Sequence, residues 1–148
     1  MTNDHSQLFE ERTHTRDLTY STWHRRTNLR KYGLSLKDAW SLGVIDIDWC
    51  EYCRHCREPL ALVETQVSDR APKPAPVMSV LARMAGIPAY SVSIIRGDLE
   101  EIALFKMQQV APELGAVQPM LPNVYAFFLL SLRSQHTCQR SGSREGAA

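Results

Sequence analysis

Acidic side chains near the middle of the chain have the types and the spacing of a divalent-cation site. Asp46 and Asp48 alternate with apolar residues in segment 45–49, and Glu64 follows the apolar residues 60–63. Because side chains alternate between the two faces of a strand, both aspartates are expected on one face. With a turn at 53–58, Asp48 is expected opposite the Glu64 region of a second strand.

Carboxylates that converge in this way favour a cation between them, since two held close do not both stay ionised without a large energetic cost. Mg²⁺ prefers oxygen ligands of this kind, and Mn²⁺ accepts them too. Such an ion lowers the pKa of a bound water and stabilises the charge on a phosphodiester in the transition state. The alternative is an ordinary hairpin with acids on its solvent-facing side.

Three cysteines lie close together at the predicted turn. Cys50, Cys53 and Cys56 have the C-x₂-C spacing of a zinc knuckle twice over, sharing Cys53. Structural zinc requires four ligands, and in an extended strand Cys50 points away from Cys53. The sequence has no C-x₂-C pair outside residues 50–56, and Cys138 falls in a C-terminal segment of small, polar residues. Free thiols and a zinc knuckle at the hairpin tip both remain open.

A basic stretch precedes the hairpin. Between residues 18 and 37 there is no acid, and Tyr20 and Trp23 are interleaved with basic side chains. This pattern predicts a surface that contacts phosphates, although a solvated helical face has the same composition. Lys73, in a later loop, is expected to reach toward the acidic hairpin. The basic residues considered for nucleic-acid binding are Arg25, Arg26, Arg30, Lys31 and Lys73.

The elements that would position these residues follow from periodicity and from turn residues. Residues 20–42 carry helical signals, with Gly33 dividing them into two short helices and Gly43 ending the second. Two strands, 44–52 and 59–66, form the acidic hairpin. The later predicted elements are a helix from Pro76 capped by Gly86, strands at 89–95 and 101–108, and a helix from Pro122 to about Ser134.

Two of the predicted helices carry apolar side chains at helical spacing. In the helix from Pro76 these fall on one face, which consists of Val77, Val80, Leu81, Met84 and Ala85. In the last helix they lie nearly all round the helix, which predicts packing against the sheet. The apolar side chains that the sheet does not cover could form a homodimer contact. Those residues are Val124, Phe127, Phe128, Leu130 and Leu132.

The composition indicates the general class of the protein but says little about its binding partners. The net charge is +1 over 148 residues, so global electrostatics indicate no particular ligand. The longest apolar run, 124–132, is far shorter than the roughly 20 residues that span a bilayer. The N-terminal residues lack the pattern of a secretory signal, which predicts a cytoplasmic protein with no membrane association. We predict a flexible segment at 1–18, one domain at 19–136 and a disordered tail at 137–148.

The hairpin resembles the D…ExK signature of the PD-(D/E)xK nuclease superfamily. Asp48 in 45–49 and Glu64 in 62–66 match the two acidic positions, and Gln66 stands where the motif has a lysine. Segments 20–25 and 59–64 also look like small phage-borne proteins of this type. The resemblance covers roughly residues 20–108 and implies an α/β (α+β) fold with an αβββαβ-like restriction-endonuclease core, a mixed sheet flanked by helices.

The resemblance implies a metal-dependent endonuclease that hydrolyses DNA in the cytoplasm. If the protein is phage-encoded, this is the cytoplasm of the host. Asp48 and Glu64 would bind Mg²⁺ or Mn²⁺ with Asp46 as a helper, and Gln66 would position water. Gln66 supplies hydrogen bonds but no positive charge, so a nucleic-acid-binding module that does not cut is the alternative. A structural or interaction protein with a zinc-stabilised hairpin is the third possibility.

Overall fold

The computed structural model of the protein describes residues 19–138, without the side chains of Arg26, Thr27 and Glu100. Segment 1–18 and most of the predicted tail, residues 139–148, lie outside the described residues. The chain divides between Ile45 and Asp46 into two compact units. That boundary falls inside the range 19–136 that the sequence analysis assigned to one domain.

The first unit contains short helices. Where two helices were predicted, three form, because residue Arg25 has extended backbone (ψ 142°) between the first and the second. Gly33, at φ +102°, separates the second from the third, as predicted. The third begins with a capping interaction in which the Ser35 hydroxyl accepts a hydrogen bond from the Asp38 amide at 3.0 Å. The helices are α1 (Thr19–His24), α2 (Arg26–Lys31) and α3 (Leu36–Ser41).

The second unit is built on a five-stranded sheet with the order β1-β2-β3-β4-β5. Its strands are β1 (Trp49–Tyr52), β2 (Pro59–Val67), β3 (Ala89–Arg96), β4 (Ile102–Ala111) and β5 (Gln118–Met120). β2 and β3 are parallel and are connected through helix α4 (Pro76–Ala85), whereas the other neighbouring pairs are antiparallel. β5 was not predicted, because its three residues lie in a segment rich in proline and glycine.

The predicted strand 44–52 is wrong over its first half. Only residues from Trp49 onward pair with β2, and Ile45 is 47% exposed at the end of the first unit. The alternation in 45–48 therefore does not correspond to a strand. Strand pairing stops here because of Asp48. Its side chain, instead of a backbone carbonyl, accepts the amide hydrogen of Thr65 on β2. β2 itself is confirmed, with Ala61, Leu62 and Val63 buried.

Each face of the sheet is covered by one helix of this unit. On one face, Leu62 and Ala89 pack against Met78 and Ala82 of α4. On the other, a larger cluster packs against α5 (Pro122–Gln135), the last predicted helix. The strand residues of that second cluster are Ala61, Val63, Tyr90, Val92 and Met107, and the helix contributes Tyr125, Phe128 and Leu132.

Helix α4 begins at Pro76 and ends at Gly86, which adopts the left-handed conformation (φ 70°), as predicted. Its contact face differs from the apolar face seen in the sequence. Met78, Ser79 and Ala82 are the buried residues of the helix. Much of the predicted apolar face is exposed, namely Val77, Val80, Leu81 and Met84. The small residues Ser79 and Ala82 let the helix lie close to the sheet. The face of the helix that contacts the sheet is therefore less apolar than the face that is exposed.

The fold class is confirmed at the level of an α+β protein with a mixed sheet flanked by helices. The more specific αβββαβ-like restriction-endonuclease core stays a prediction. Among residues 19–138, no helix combines the length and the apolar character needed to cross a membrane.

Candidate functional sites: a carboxylate–lysine pair and a thiol–imidazole cluster

Polar side chains continue the face of β2 that α4 covers. Leu62 packs under α4, and by alternation Glu64 and Gln66 follow it on the same face. In the parallel register, Glu64 lies beside Ser91 and Gln66 beside Ser93, and both serines are fully buried. This end of the sheet is therefore lined by carboxylate, amide and hydroxyl groups instead of apolar side chains.

Lys73 contacts this polar patch from the loop 68–75. Its Nζ lies 2.6 Å from Oε1 of Glu64, whose side chain is only 18% exposed. The hydrogen bond to Glu64 raises the pKa of Lys73 above its usual value, against an opposing effect of partial burial. The negative charges of Glu64 and Asp48 raise it further, so both acids lie close enough to act on the Lys73 ammonium.

The loop that carries Lys73 is held to the sheet by hydrogen bonds. The Ser91 hydroxyl donates to the carbonyl of Lys73 itself at 2.7 Å. Gln66 Nε2 donates to the carbonyl of Ala71 at 2.9 Å and to Ser93 Oγ at 2.7 Å. Lys106 Nζ donates to the carbonyl of Asp69. The position of Lys73 thus depends on side chains of three different strands.

Asp48 lies at the edge of the sheet just before β1. Its Oδ2 accepts hydrogen bonds from the backbone amide of Thr65 at 2.8 Å and from the Thr65 hydroxyl at 3.0 Å. Trp49 Nε1 donates to the same hydroxyl at 3.2 Å. These bonds fix the direction of the Asp48 carboxylate. Asp46, two residues earlier, is exposed in the segment that does not pair.

Gln66, which the resemblance implies would position water, is held by hydrogen bonds within the protein. Both hydrogens of its amide nitrogen have acceptors within hydrogen-bonding distance, the Ala71 carbonyl and Ser93 Oγ. The Gln66 amide nitrogen therefore links β2, β3 and the loop. The positive charge beside Glu64 comes from Lys73.

A second group of potential ligands lies at the other end of the β1–β2 hairpin. Four ligand atoms lie within 4.8 Å of one another, and they belong to Cys53, Cys56, His136 and Cys138. The Cys56 thiol is 3.1 Å from His136 Nε2, and the Cys53 side chain is fully buried. We call these residues the Cys/His cluster. Its donor set is one that could hold a metal ion.

The backbone of the hairpin turn shapes this cluster. The Cys53 amide donates to the Glu58 carbonyl at 2.9 Å, and the Arg57 amide donates to the Cys53 carbonyl at 2.8 Å. The backbone hydrogen bond from Cys56 lowers the pKa of Cys53 to about 7, and a weaker one from His55 acts in the same direction against desolvation. Backbone donors in this turn thus favour the thiolate form of Cys53.

Half of the cluster was missed by the sequence analysis. Cys53 and Cys56 were proposed as ligands, but the structure adds His136 and Cys138, which lie 80 and more residues away. The signal available in the sequence was the H-x-C spacing at 136–138, next to the end of the last helix. Cys50, the third proposed ligand, is exposed on β1 and does not belong to the cluster.

The three proposed acidic ligands are not gathered in the same way. Within residues 19–138, the ligand atoms of three or more Asp, Glu, His or Cys side chains converge in the Cys/His cluster. Asp46, Asp48 and Glu64 do not form such a group. Asp46 lies in segment 45–48, which does not continue the strand. Asp48 contacts Thr65, and Glu64 contacts Lys73.

The basic stretch lies in the first unit. Arg25, Arg30 and Lys31 are exposed, and the side chain of Arg26 is outside the described residues. Aromatic rings accompany them. Trp23 lies 5.9 Å from Tyr20 and 6.1 Å from Tyr32 between ring centroids, and all three side chains are more than 40% exposed. This unit therefore presents cations and aromatic surface together.

Comparisons with protein-family models, curated proteins and solved structures found no match for this chain.

Proposed function

We propose that the protein is a metal-dependent nuclease-like enzyme that hydrolyses DNA phosphodiester bonds. The observation that carries the proposal is the contact between Lys73 and Glu64, with the charge of Asp48 also acting on Lys73. Two carboxylates and an ammonium group are the residue types of the D…ExK signature that the sequence resembles. In this proposal Lys73 replaces the motif lysine, although it is seven residues beyond position 66 in the chain.

Each residue has a role that follows from its contacts. Asp48 and Glu64 would hold Mg²⁺ or Mn²⁺, since their oxygens are hard donors. The ion, when bound, supplies a Lewis acid for the phosphoryl oxygen and a bound water of lowered pKa. Thr65 keeps the Asp48 carboxylate oriented by two hydrogen bonds. Lys73 is protonated at neutral pH, as a lysine ordinarily is, and Glu64 raises its pKa further, so it offers positive charge to a phosphate oxygen.

DNA is the substrate that we propose, and the first unit provides residues suited to it. Arg25, Arg30 and Lys31 are exposed cations that would contact phosphates. The exposed rings of Trp23 and Tyr32 would stack on bases of a single-stranded or distorted segment. We further propose that the endonuclease is phage-encoded, acts in the host cytoplasm and forms a homodimer through the exposed side of α5.

The direct test is a plasmid-nicking assay with Mg²⁺ or Mn²⁺ on the purified full chain. We expect cleavage by the wild type and a loss of at least about 100-fold in Glu64→Ala, because one of the two carboxylate ligands is removed. DNA binding, measured by fluorescence anisotropy, should be retained in Glu64→Ala. Persistence of cleavage in this variant would refute the assignment of the site.

A matched control is available in Glu101→Ala. Glu101 is an exposed acid in the connection between β3 and β4, immediately after the short turn 98–100. This substitution changes the net charge by the same amount as Glu64→Ala, so it should leave cleavage unchanged. An equal loss in both variants would show that charge alone, and not the Glu64 position, determines the activity.

A nucleic-acid-binding module that does not cut is the second candidate. It is favoured by the 2.6 Å distance between Lys73 Nζ and Glu64 Oε1, because an ammonium group at this carboxylate competes with a metal ion. In this case the wild type would bind DNA in a salt-dependent manner and release no nicked plasmid with any divalent ion. The nicking and anisotropy assays together separate the two candidates.

We propose zinc for the Cys/His cluster. Thiolate sulfur is a soft donor that selects Zn²⁺ over Mg²⁺, whereas the carboxylates of Asp48 and Glu64 have the opposite preference. The protein would then use two classes of cation at two separate places in its second unit, one for catalysis and one for stability.

A further inference from the structure

We infer that the Cys/His cluster is a closed four-ligand zinc site that fastens the segment after α5 to the turn of the β1–β2 hairpin. Its ligands come from two distant parts of the chain, the pair Cys53 and Cys56 and the pair His136 and Cys138. The zinc site does not depend on the nuclease proposal. None of its four residues belongs to the polar patch formed by Glu64, Gln66, Ser91, Ser93 and Lys73, which we call the Glu64–Lys73 patch.

The distances within the cluster suit a tetrahedral ion. Ligand atoms at 2.0–2.3 Å from zinc occupy the corners of a tetrahedron, and geometry then places them about 3.5–3.8 Å apart. The four atoms of the cluster lie within 4.8 Å of one another, and Cys56 Sγ is 3.1 Å from His136 Nε2. Shifts of a few tenths of an ångström to about 1 Å would therefore bring all four to bonding positions.

The hairpin turn prepares the first pair of ligands. The hydrogen bond from the Arg57 amide to the Cys53 carbonyl closes the turn, and Arg57 adopts the left-handed conformation (φ 69°). Such a conformation costs energy for a residue with a side chain, so it persists where surrounding contacts determine it. Here the chain reverses immediately after Cys56, which keeps Cys56 beside Cys53.

Helix α5 delivers the second pair. His136 is the residue that ends the helix, and its amide bonds the Arg133 carbonyl at 3.3 Å. His136 Nε2 faces the hairpin turn, 3.1 Å from Cys56 Sγ and 3.6 Å from Oε2 of Glu58. Cys138 follows two residues later, so one residue separates the two ligands. The end of α5 thus lies against the turn although 80 residues separate Cys56 from His136.

The ligand count indicates a structural site. Four protein ligands fill a tetrahedral zinc and leave no position for a water or a substrate. Cys53 is fully buried, and the other three are partly buried, which limits access to the ion. Zinc would therefore act as a cross-link between the two ends of the second unit.

A disulfide is the main competing arrangement of these thiols. A bond between two of the three cysteines would leave the third thiol and the imidazole with no role in the cluster. Zinc uses all four groups, and it also explains why a nitrogen ligand lies among three sulfurs. The chemistry of the donor set therefore favours zinc over an oxidised pair.

The test is the zinc content of the full chain, purified under reducing conditions and reconstituted with Zn²⁺. We expect about one zinc per chain, as for a single four-ligand site. Substitution of Co²⁺ for zinc should give the visible spectrum of tetrahedral cobalt with thiolate-to-metal charge transfer. A reconstituted wild type that binds no zinc, or one whose native mass shows a disulfide instead, would overturn the inference.

Variants on the full chain identify the ligands. Cys138→Ser and Cys56→Ser should weaken zinc binding by at least about 100-fold, because each removes one of four bonds to the ion. Cys50→Ser is the matched control, since Cys50 is a neighbouring thiol outside the cluster, and it should bind like the wild type. Unweakened zinc binding in Cys138→Ser would exclude the proposed ligand set.

A ligand exchange protects the test against variants that do not fold. Cys138→His keeps a zinc ligand at position 138 and should retain about one zinc per chain with tetrahedral cobalt spectra. Restored binding in Cys138→His, compared with Cys138→Ser, would show coordination by residue 138 and not a packing role. If Cys138→His binds no better than Cys138→Ser, residue 138 is not a ligand.

Discussion

The second unit contains two candidate ion sites that differ in chemistry and in construction. The Glu64–Lys73 patch offers carboxylate oxygens beside a positive charge on one face of β2. The Cys/His cluster offers three sulfurs and one imidazole at the end of the β1–β2 hairpin. Hard donors balanced by an ammonium group suit an ion that exchanges during a reaction, whereas soft donors that fill a coordination shell suit a permanent ion.

The difference also concerns what holds each site together. Hydrogen bonds from Gln66 and Ser91 place the loop of Lys73 over the sheet. In the Cys/His cluster the ligands come from the hairpin turn and from the end of α5 and the residues after it, so a bound ion would join these two parts of the chain. Removal of an ion from the first site should therefore affect activity, and removal of an ion from the second should affect stability.

Zinc removal should have the largest effect on the folded state. With free zinc at about 1,000 times its Kd, the bound ion contributes about 4 kcal/mol to the free energy of unfolding. A selective zinc chelator should remove this contribution and lower the midpoint of urea unfolding. Withdrawal of Mg²⁺ alone should leave the midpoint unchanged. Equal stability with and without zinc would contradict the cross-linking role.

Replacement of Lys73 by methionine should have the next largest effect, this time on cleavage. Lys73→Met keeps the length of the side chain but removes the charge beside Glu64, so we expect kcat to fall about 100-fold. DNA binding should change little, and Lys73→Arg should recover part of the activity. Measured kcat and KM separate the two effects. An unchanged kcat in Lys73→Met would exclude Lys73 from the motif-lysine role.

Replacement of Gln66 should have a smaller effect, on the loop and on stability. Gln66→Ala leaves the fully buried Ser93 hydroxyl without its donor, which costs about 1–3 kcal/mol. The loop 68–75 also loses its bond at Ala71, so we expect faster amide exchange there by hydrogen–deuterium mass spectrometry. Zinc content should stay at the wild-type level. Loss of zinc in Gln66→Ala would show that the two sites are coupled.

Titration of Tyr125 should have the smallest effect and reports on the docking of α5. Burial raises the pKa of Tyr125 to about 12, and the charges of Glu51 and Tyr90 add to this increase. In the unfolded chain the pKa is about 10, so from pH 10 to 12 the unfolded state loses its proton first. Stability should therefore fall by about 1–2 kcal/mol over this window and show no such dependence below it.

The comparison that tests this prediction is Tyr125→Phe, which should reduce the alkaline slope in the pH dependence of urea unfolding. The slope that is left comes from groups such as Lys73 and Tyr90, whose pKa values are also raised. The absorbance of the tyrosinate gives a second measurement. If zinc holds the end of α5, the zinc-free protein should show a Tyr125 pKa nearer to the usual value. A pKa that does not respond to zinc would mean that packing of Phe105 and Phe128 around the ring is sufficient to dock the helix.

Much of the second unit could be predicted from local patterns. Pro76 and Gly86 mark the ends of α4, and the apolar run 60–63 corresponds to the centre of β2. These features depend on backbone conformations and on burial, which neighbouring residues largely determine. The start of β1 was predicted wrongly, because alternation alone does not show that the Asp48 side chain accepts the Thr65 amide hydrogen in place of a backbone carbonyl.

The candidate sites divide in the same way. Asp48, Glu64, Cys53 and Cys56 could be proposed from their spacing, since each pair lies within one hairpin. Lys73 was expected to reach toward the acidic hairpin, but the contact with Glu64 and the bonds that hold its loop to Ser91 and Gln66 are seen only in the tertiary structure. His136 and Cys138 carried no signal that connects them to the turn, because distances between residues so far apart depend on how the whole sheet and α5 pack.

The sequence by itself therefore determined the chemistry that is available: carboxylates and a lysine near one strand, and thiols at a turn. Only the tertiary structure decided which of these groups meet. The reason is physical, because local patterns act through backbone conformation over a few residues, whereas a metal site requires atoms within a few ångströms in space. For the Cys/His cluster that proximity is produced by α5 lying across the sheet, and its last turn brings His136 and Cys138 to the hairpin.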